Sequence, residues 1–299
     1  MGSRALLSDI LVLVYGMARL DKIAGRALSG ILSSIQVFAH ILLPERCCGC
    51  GRELARPSTP KEAAPVSRAR LCGACWAELD FIDAPLCRVS GDPLPFSPVP
   101  AENGELEPVS AEVLSRRPAF TSARAAVRYG PVARRLVGQL KYGDRTDLAP
   151  LFASWLTRCG AEMLGQADFI MPVPLHGGRL FQRRYNQAGE ISRHVARMNG
   201  VVFLADSLRR VKRTRSQIGL TAGARRRNVA GAFQLKDGEG TRILGKVVVL
   251  IDDVRTTGAT VEACARVLAA HGVLAVHVLC VARVVPGEEE TISPLEMLA

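Results

Sequence analysis

The chain has 299 residues, enough for about two domains. With 48% apolar and 22% charged residues it can bury a sizeable core, which excludes wholesale disorder. A formal net charge of +11 points to anionic partners: phosphates, nucleic acid or a membrane surface.

Residues 1–44 read as two amphipathic helices, ended by Pro44. Asp9, Gly16 and Arg19 interrupt the first apolar run, and serines, Gln36 and His40 interrupt the second. Neither reaches the roughly 18–20 clean apolar residues of a membrane span. Such helices pack on the rest of the fold or meet a membrane surface or partner. No basic region precedes a clean apolar run and a small-residue cleavage site, so a reducing cytoplasm is expected.

Residues 45–95 form a small cysteine module. Cys47-x-x-Cys50 and Cys72-x-x-Cys75 stand 21 residues apart, the spacing of paired knuckles that hold one tetrahedral Zn²⁺. In a module with so little core, metal binding is part of folding. Cys48 is a spare thiol between ligands. Residues 96–120 are Pro- and Glu-rich and read as a linker. No internal repeat is evident.

From Ala123 the texture changes. "ARAAVRYG" alternates like a strand, and "PVARRLVGQLKYG" opens a helix at Pro131. "DLAPLFASWLTRCGAEML" is helical, "ADFIMPVPL" is a strand that stops at prolines, and "QAGEISRHVARMNG" is a helix closed by Asn-Gly. "KVVVLI" and "VLAVHVLCVARVV" are buried strands, separated by the helix "TGATVEACARVLAAHG". Strands alternating with helices predict an α/β domain over 121–285, with a mostly parallel sheet and flanking helices. The acidic residues 286–299 form a tail.

The chemistry concentrates in "VVVLIDDVRTTGATVEACARVL". Ligands of open α/β sheets bind beyond the carboxyl ends of the strands, where Asp252 and Asp253 stand. The next residues open a helix whose first N–H groups lack partners and whose dipole favours an anion. Gly258 lets backbone approach a phosphate, and the threonines add donors. One loop would then grip a phosphate while the carboxylates face sugar hydroxyls, the two ends of a ribose 5-phosphate. The expectation requires both acids to face the open end of the sheet, not to turn away into salt bridges. A capped helix, with Asp253 or Thr257 as cap, accounts for one residue and not for the run. The Walker signature and GxGxxG are both missing.

"VVLIDDVRTTGAT" resembles the PRPP-binding motif of type I phosphoribosyltransferases. "LKYGDR" (140–145), "PVPL" (172–175), "RRYNQA" (183–188) and "QIGLTAGARRRNVAGAF" (217–233) resemble the ComF-type competence proteins, a phosphoribosyltransferase-like domain behind a zinc ribbon. The resemblance implies that Asp252 and Asp253 hold the ribose hydroxyls. It implies that Arg255, Thr256, Thr257, Gly258, Ala259 and Thr260 form the 5-phosphate loop. Mg²⁺ would be bound largely through the substrate pyrophosphate. Val173 and Pro174 fall at the pyrophosphate loop, with Lys141, Arg179, Arg183 or Arg184 to balance its charge. The Arg-rich residues 208–227 would be a mobile lid or a groove that tracks nucleic-acid phosphates. Asn186 and Gln187 would recognise a base or cap the next helix.

The chain departs from the family at Cys87, whose mate in a second CxxC pair is replaced by Ser90, so one zinc is expected. It departs again at Arg184, where the family has Gly. The expected activity is transfer of phosphoribose from PRPP to an unknown acceptor. The alternative is a non-catalytic nucleotide-binding accessory in DNA uptake or single-strand DNA handling, with single-stranded DNA or DNA-uptake proteins as partners.

Overall fold

The computed structural model describes residues 45–54, 69–94, 108–175, 185–212, 214 and 221–285. The expected helices of 1–44 and the tail 286–299 lie outside the described residues. The chain divides into two units, Met1–Cys47 with Gly51–Ser58, and Cys48–Cys50 with Thr59–Ala299.

The described elements are, in chain order, α1 (Gly73–Ala77), α2 (Ala111–Ser115), β1 (Ser122–Arg128), α3 (Pro131–Tyr142), α4 (Ala149–Cys159), α5 (Ala161–Gly165), β2 (Phe169–Pro172), α6 (Gln187–Asn199), β3 (Val202–Phe203), β4 (Leu208–Arg210), α7 (Ala222–Val229), β5 (Phe233–Leu235), α8 (Glu239–Ile243), β6 (Val247–Arg255), α9 (Ala259–Ala270) and β7 (Ala275–Arg283). Five strands make one sheet in the order β1-β7-β6-β2-β3, with every pairing parallel. The largely apolar strands β6 and β7 are mostly buried because helices cover both faces of a parallel sheet. β4, at the start of the Arg-rich region, and β5, just beyond it, form a separate antiparallel pair.

Helix α9 repeats apolar residues at Val261, Cys264, Ala265 and Leu268, the i, i+3, i+4, i+7 stripe of a one-sided helix. That stripe joins Val248 and Leu250 of β6 and Val276, Val278 and Cys280 of β7 in one cluster. Each large side chain so buried stabilises by about 1.5–3 kcal/mol. Helix α4 packs against α6 as well as β1 and β7. Gly200, at φ +68°, ends α6 in the left-handed region that favours glycine.

β1 is an edge strand, and the cysteine module covers it. Ile82 N donates to Ala126 O at 3.0 Å, Arg128 N to Asp80 O at 2.8 Å and Ala123 N to Val89 O at 2.8 Å. These bonds occupy edge groups that would otherwise template aggregation. Gly91 sits at the closest approach: it has φ +68°, and a Cβ there would lie 2.1 Å from Ala123 O. Gly91→Ala is therefore expected to destabilise the fold by roughly 3 kcal/mol, from overpacking and a left-handed residue together. Denaturant unfolding measures it.

The structure corrects two sequence expectations here. An internal repeat is present. Residues 45–54 bond Cys47 N to Arg52 O, Gly51 N to Cys47 O and Leu54 N to Glu45 O, and residues 85–94 bond Cys87 N to Asp92 O, Gly91 N to Cys87 O and Leu94 N to Pro85 O. Hydrogen-bond pattern defines the repeat, and the replaced ligands hide it from the sequence. Secondly, the described end of the supposed linker belongs to the second knuckle. Arg88 N donates to Pro108 O at 2.8 Å, and Ser110 caps α2 through Val113 N as Cys72 caps α1 through Cys75 N.

Candidate functional site

The site stands at the carboxyl end of β6, the middle strand. Alternation along a strand sends successive side chains to opposite faces. Asp252 continues the Val248–Leu250 side and lies over the buried Cys264 and Cys280, whose thiols burial pushes up. Asp253 falls on the other side, where Lys141 of α3 meets it, Nζ to Oδ1 3.1 Å. The acids thus flank the strand end and do not share one face. Asp253 is in a salt bridge, contrary to the expectation that both acids stay clear of them. Lys141 is itself one of the expected site residues, so the pair neutralises part of a like-charge site from within.

Asp252 accepts from Asp253 N at 2.9 Å. Burial first, and the Asp253 charge second, raise its pKa to about 7, against the Asp253 amide and Lys141. A carboxyl raised on folding stabilises the fold while protonated, and that contribution is lost as pH rises through the folded value. Asp252→Asn is therefore expected to melt about 2–4 °C above the unchanged protein at pH 8. The gap should close towards pH 4, and thermal unfolding across pH checks it.

β6 ends at Arg255, and the chain turns through Gly258, at φ +72°, into α9. The helix starts at Ala259, two residues later than "TGAT" suggests, because Gly258 is the left-handed cap. No side chain caps this 12-residue helix. The Thr257 hydroxyl is buried without a hydrogen-bond partner among the described residues. An uncapped helix start beside an unpaired hydroxyl is the chemistry of an anion cradle.

Val173 N donates to Ile251 O at 2.9 Å, which sets the Pro172–Val173–Pro174 turn beside the acids. Val173 and Pro174 are buried, so their side chains serve as framework. Asn186 Nδ2 donates to Val173 O at 3.2 Å, Tyr185 Oη donates to Leu140 O, and Gln187 is buried. Asn186 makes no cap bond to α6; it ties this turn in place. Arg183, with Arg179 and Arg184, lies outside the described residues.

Arg255 does not reach into the loop. Its side chain is 4% exposed and its guanidinium pairs with Asp92 at 3.0 Å, so only its backbone remains in the turn. Sequence reasoning also missed Tyr129, just past β1. Its phenol is raised by burial and senses Lys141, Asp253 and Arg134, which places it at the same mouth. Its position at the carboxyl end of a strand is the signal that could have found it.

The metal-ligand expectation is met as a geometry. The sulfurs of Cys47, Cys50, Cys72 and Cys75 lie within 4.8 Å of one another, with Cys50 and Cys72 3.7 Å apart. Four thiolates about 2.3 Å from one Zn²⁺ stand about 3.8 Å apart, so the set fits a structural zinc. Among the described residues Cys87 has no such company. It is buried and accepts from Ser90 N at 3.4 Å and Ser110 N at 3.3 Å.

Comparison with known proteins follows this geometry. The double zinc ribbon domain family matches residues 38–106. The chain is 28% identical over 218 residues to DNA utilization protein YhgH of Escherichia coli strain K12, covering 71% of this chain and 90% of that one. It is 31% identical over 175 residues to YhgH of Salmonella typhi, covering 57% and 75%. It is 34% identical over 140 residues to Competence protein F of Haemophilus influenzae, covering 47% and 61%. Among solved structures, a phosphoribosylpyrophosphate synthetase from Mycobacterium smegmatis aligns at TM-score 0.28 and 11% identity, over 49% of this chain and 37% of that one. A hypoxanthine phosphoribosyltransferase from Staphylococcus aureus aligns at 0.26 and 14%, over 50% and 64%. At these scores the likeness carries no functional weight.

Proposed function

We propose that this chain, which belongs to the family of DNA utilization protein YhgH, binds PRPP or a related ribose phosphate at the end of β6 and transfers phosphoribose to an acceptor with release of pyrophosphate. One observation carries this: an acidic pair at the carboxyl end of the middle strand leads through a left-handed glycine into an uncapped helix.

Each residue then has a task. The α9 start and the threonine hydroxyls of 256–260 accept the 5-phosphate. Asp252 and Asp253, one on each side of the strand end, accept hydrogen bonds from the ribose hydroxyls. Lys141 leaves Asp253 and meets the pyrophosphate, so that the cation that balances the acid also neutralises the leaving group. The buried Val173–Pro174 turn shields one side from water. Mg²⁺ suits phosphate and carboxylate oxygens, and it would add charge neutralisation on the pyrophosphate. Zinc has the separate task of holding the ribbon.

The relatives' names speak of DNA utilization and competence. For this chain they support a DNA-linked setting, and the charge and reduced thiols suit the cytoplasm. Among the described residues no helix is long and apolar enough to cross a membrane.

The test is pyrophosphate release from PRPP in Mg²⁺ across bases, amines and nucleotides. Release with at least one acceptor, lost in Lys141→Ala, is expected. No release with any acceptor would leave binding without transfer, and the transfer part of the proposal would fall.

A further inference from the structure

The second knuckle keeps Cys87 but carries Ser90 and Ser110 where the first has thiols, yet hydrogen bonds tie it to the sheet. A knuckle without metal has little core of its own and should fray. Its Cys87 takes two amide hydrogen bonds, and its Ser90 and Asp92 face two arginines of the sheet. Asp92 Oδ1 accepts from Arg283 Nε at 2.7 Å and from Arg255 Nη2 at 3.0 Å, and Oδ2 accepts from Arg283 Nη2 at 3.3 Å. Arg255 Nη2 also donates to Ser90 O at 2.5 Å. Both guanidiniums are buried, so Asp92 is the carboxylate that lets two like charges stay side by side away from water.

The far side of Arg283 reaches the ligand loop. Its Nη1 donates to Arg255 O at 3.3 Å and to Thr256 O, the carbonyls where β6 passes into the phosphate turn. A planar fork held on one side by a carboxylate presents its other side in a fixed direction. The chain of contacts therefore runs from the knuckle through Asp92 and Arg283 to the peptide that starts the anion cradle.

We propose that Asp92 is a positioning residue: through Arg283 it holds the 255–258 turn in the shape that aims the α9 start at a phosphate, so the metal-free knuckle serves as a clamp on the ligand loop. The ligand part rests on the phosphate reading above; the clamp itself does not. A merely structural Asp92 would lower stability everywhere, whereas a clamp loosens one turn.

The test uses the full chain with its zinc bound. In Asp92→Asn, hydrogen exchange at the amides of 256–261 should quicken at least tenfold, with 247–251 unchanged and zinc still bound. Affinity for PRPP with Mg²⁺ should fall at least tenfold, and Asp92→Glu should recover part of both. Unchanged exchange at 256–261 in a folded Asp92→Asn protein overturns the clamp. If that variant does not fold, Arg283→Lys keeps a charge for Asp92 and removes the fork on Thr256. Its loop should exchange faster too, and wild-type exchange there overturns the clamp equally. If the unchanged protein ignores PRPP while the exchange still moves as expected, the clamp stands and the ligand reading falls.

Discussion

Changing Asp252 and Asp253 together to asparagine is expected to weaken PRPP–Mg²⁺ binding at least 100-fold. Hydrogen bonds to a charged group contribute about 1.5–3 kcal/mol each, and two are removed from the sugar side of the ligand. The volume of each side chain is kept, so packing against Cys264 and Cys280 stays. Neutralising Asp253 also takes away the carboxylate that Lys141 meets, so that Lys141 adds more positive charge to the mouth. That cation should preserve some affinity for inorganic pyrophosphate while the ribose phosphate is lost. Titration with both ligands separates the two, and equal PRPP affinity in the variant would mean that the acids do not touch the sugar.

The second large effect concerns the metal. Cys72→Ser removes one of four thiolates, while the serine hydroxyl can still cap α1 as Ser110 caps α2. Structural zinc supplies about 10–16 kcal/mol of apparent binding in small ribbons, far more than this module's apolar contacts can replace. Zinc content should drop from one per chain to near zero. Trp76, which lies beside Phe81 and Trp155, should report the loss through its fluorescence. Cys87→Ser is the contrast: zinc content should stay at one per chain, because Cys87 is bonded to Ser90 and Ser110 and lies outside the cluster of four thiols found among the described residues. Two zincs per chain, or loss of zinc on changing Cys87, would contradict the single-site assignment.

How much of this was legible beforehand depends on what each feature is made of. The parallel sheet was readable because β6 opens on the continuous apolar run Val247–Ile251 and β7 is rich in valine and leucine, and α9 because its apolar spacing has one period. The zinc ligands were readable because metal chemistry demands those atoms at that spacing. The second knuckle was not, since its repeat lives in backbone bonds of 85–94 that persist although Ser90 stands where the first knuckle has a thiol. Arg255 was misplaced because a motif names a residue's position in the chain and not its direction. Alternation along β6 and the presence of Asp92 turn that side chain into the protein. The same alternation puts Asp252 and Asp253 on opposite sides of the strand, a consequence of strand geometry that the two letters in a row conceal. Asn186 held two open roles by sequence and has a third in the structure, a bond to Val173 O that depends on a loop brought from elsewhere.

Calorimetric titration of the zinc-loaded chain with PRPP in Mg²⁺ bears on the central claim most directly. Saturable binding at one site per chain is expected, strengthened by Mg²⁺ and competed by ribose 5-phosphate. A flat titration with a properly folded protein would contradict it.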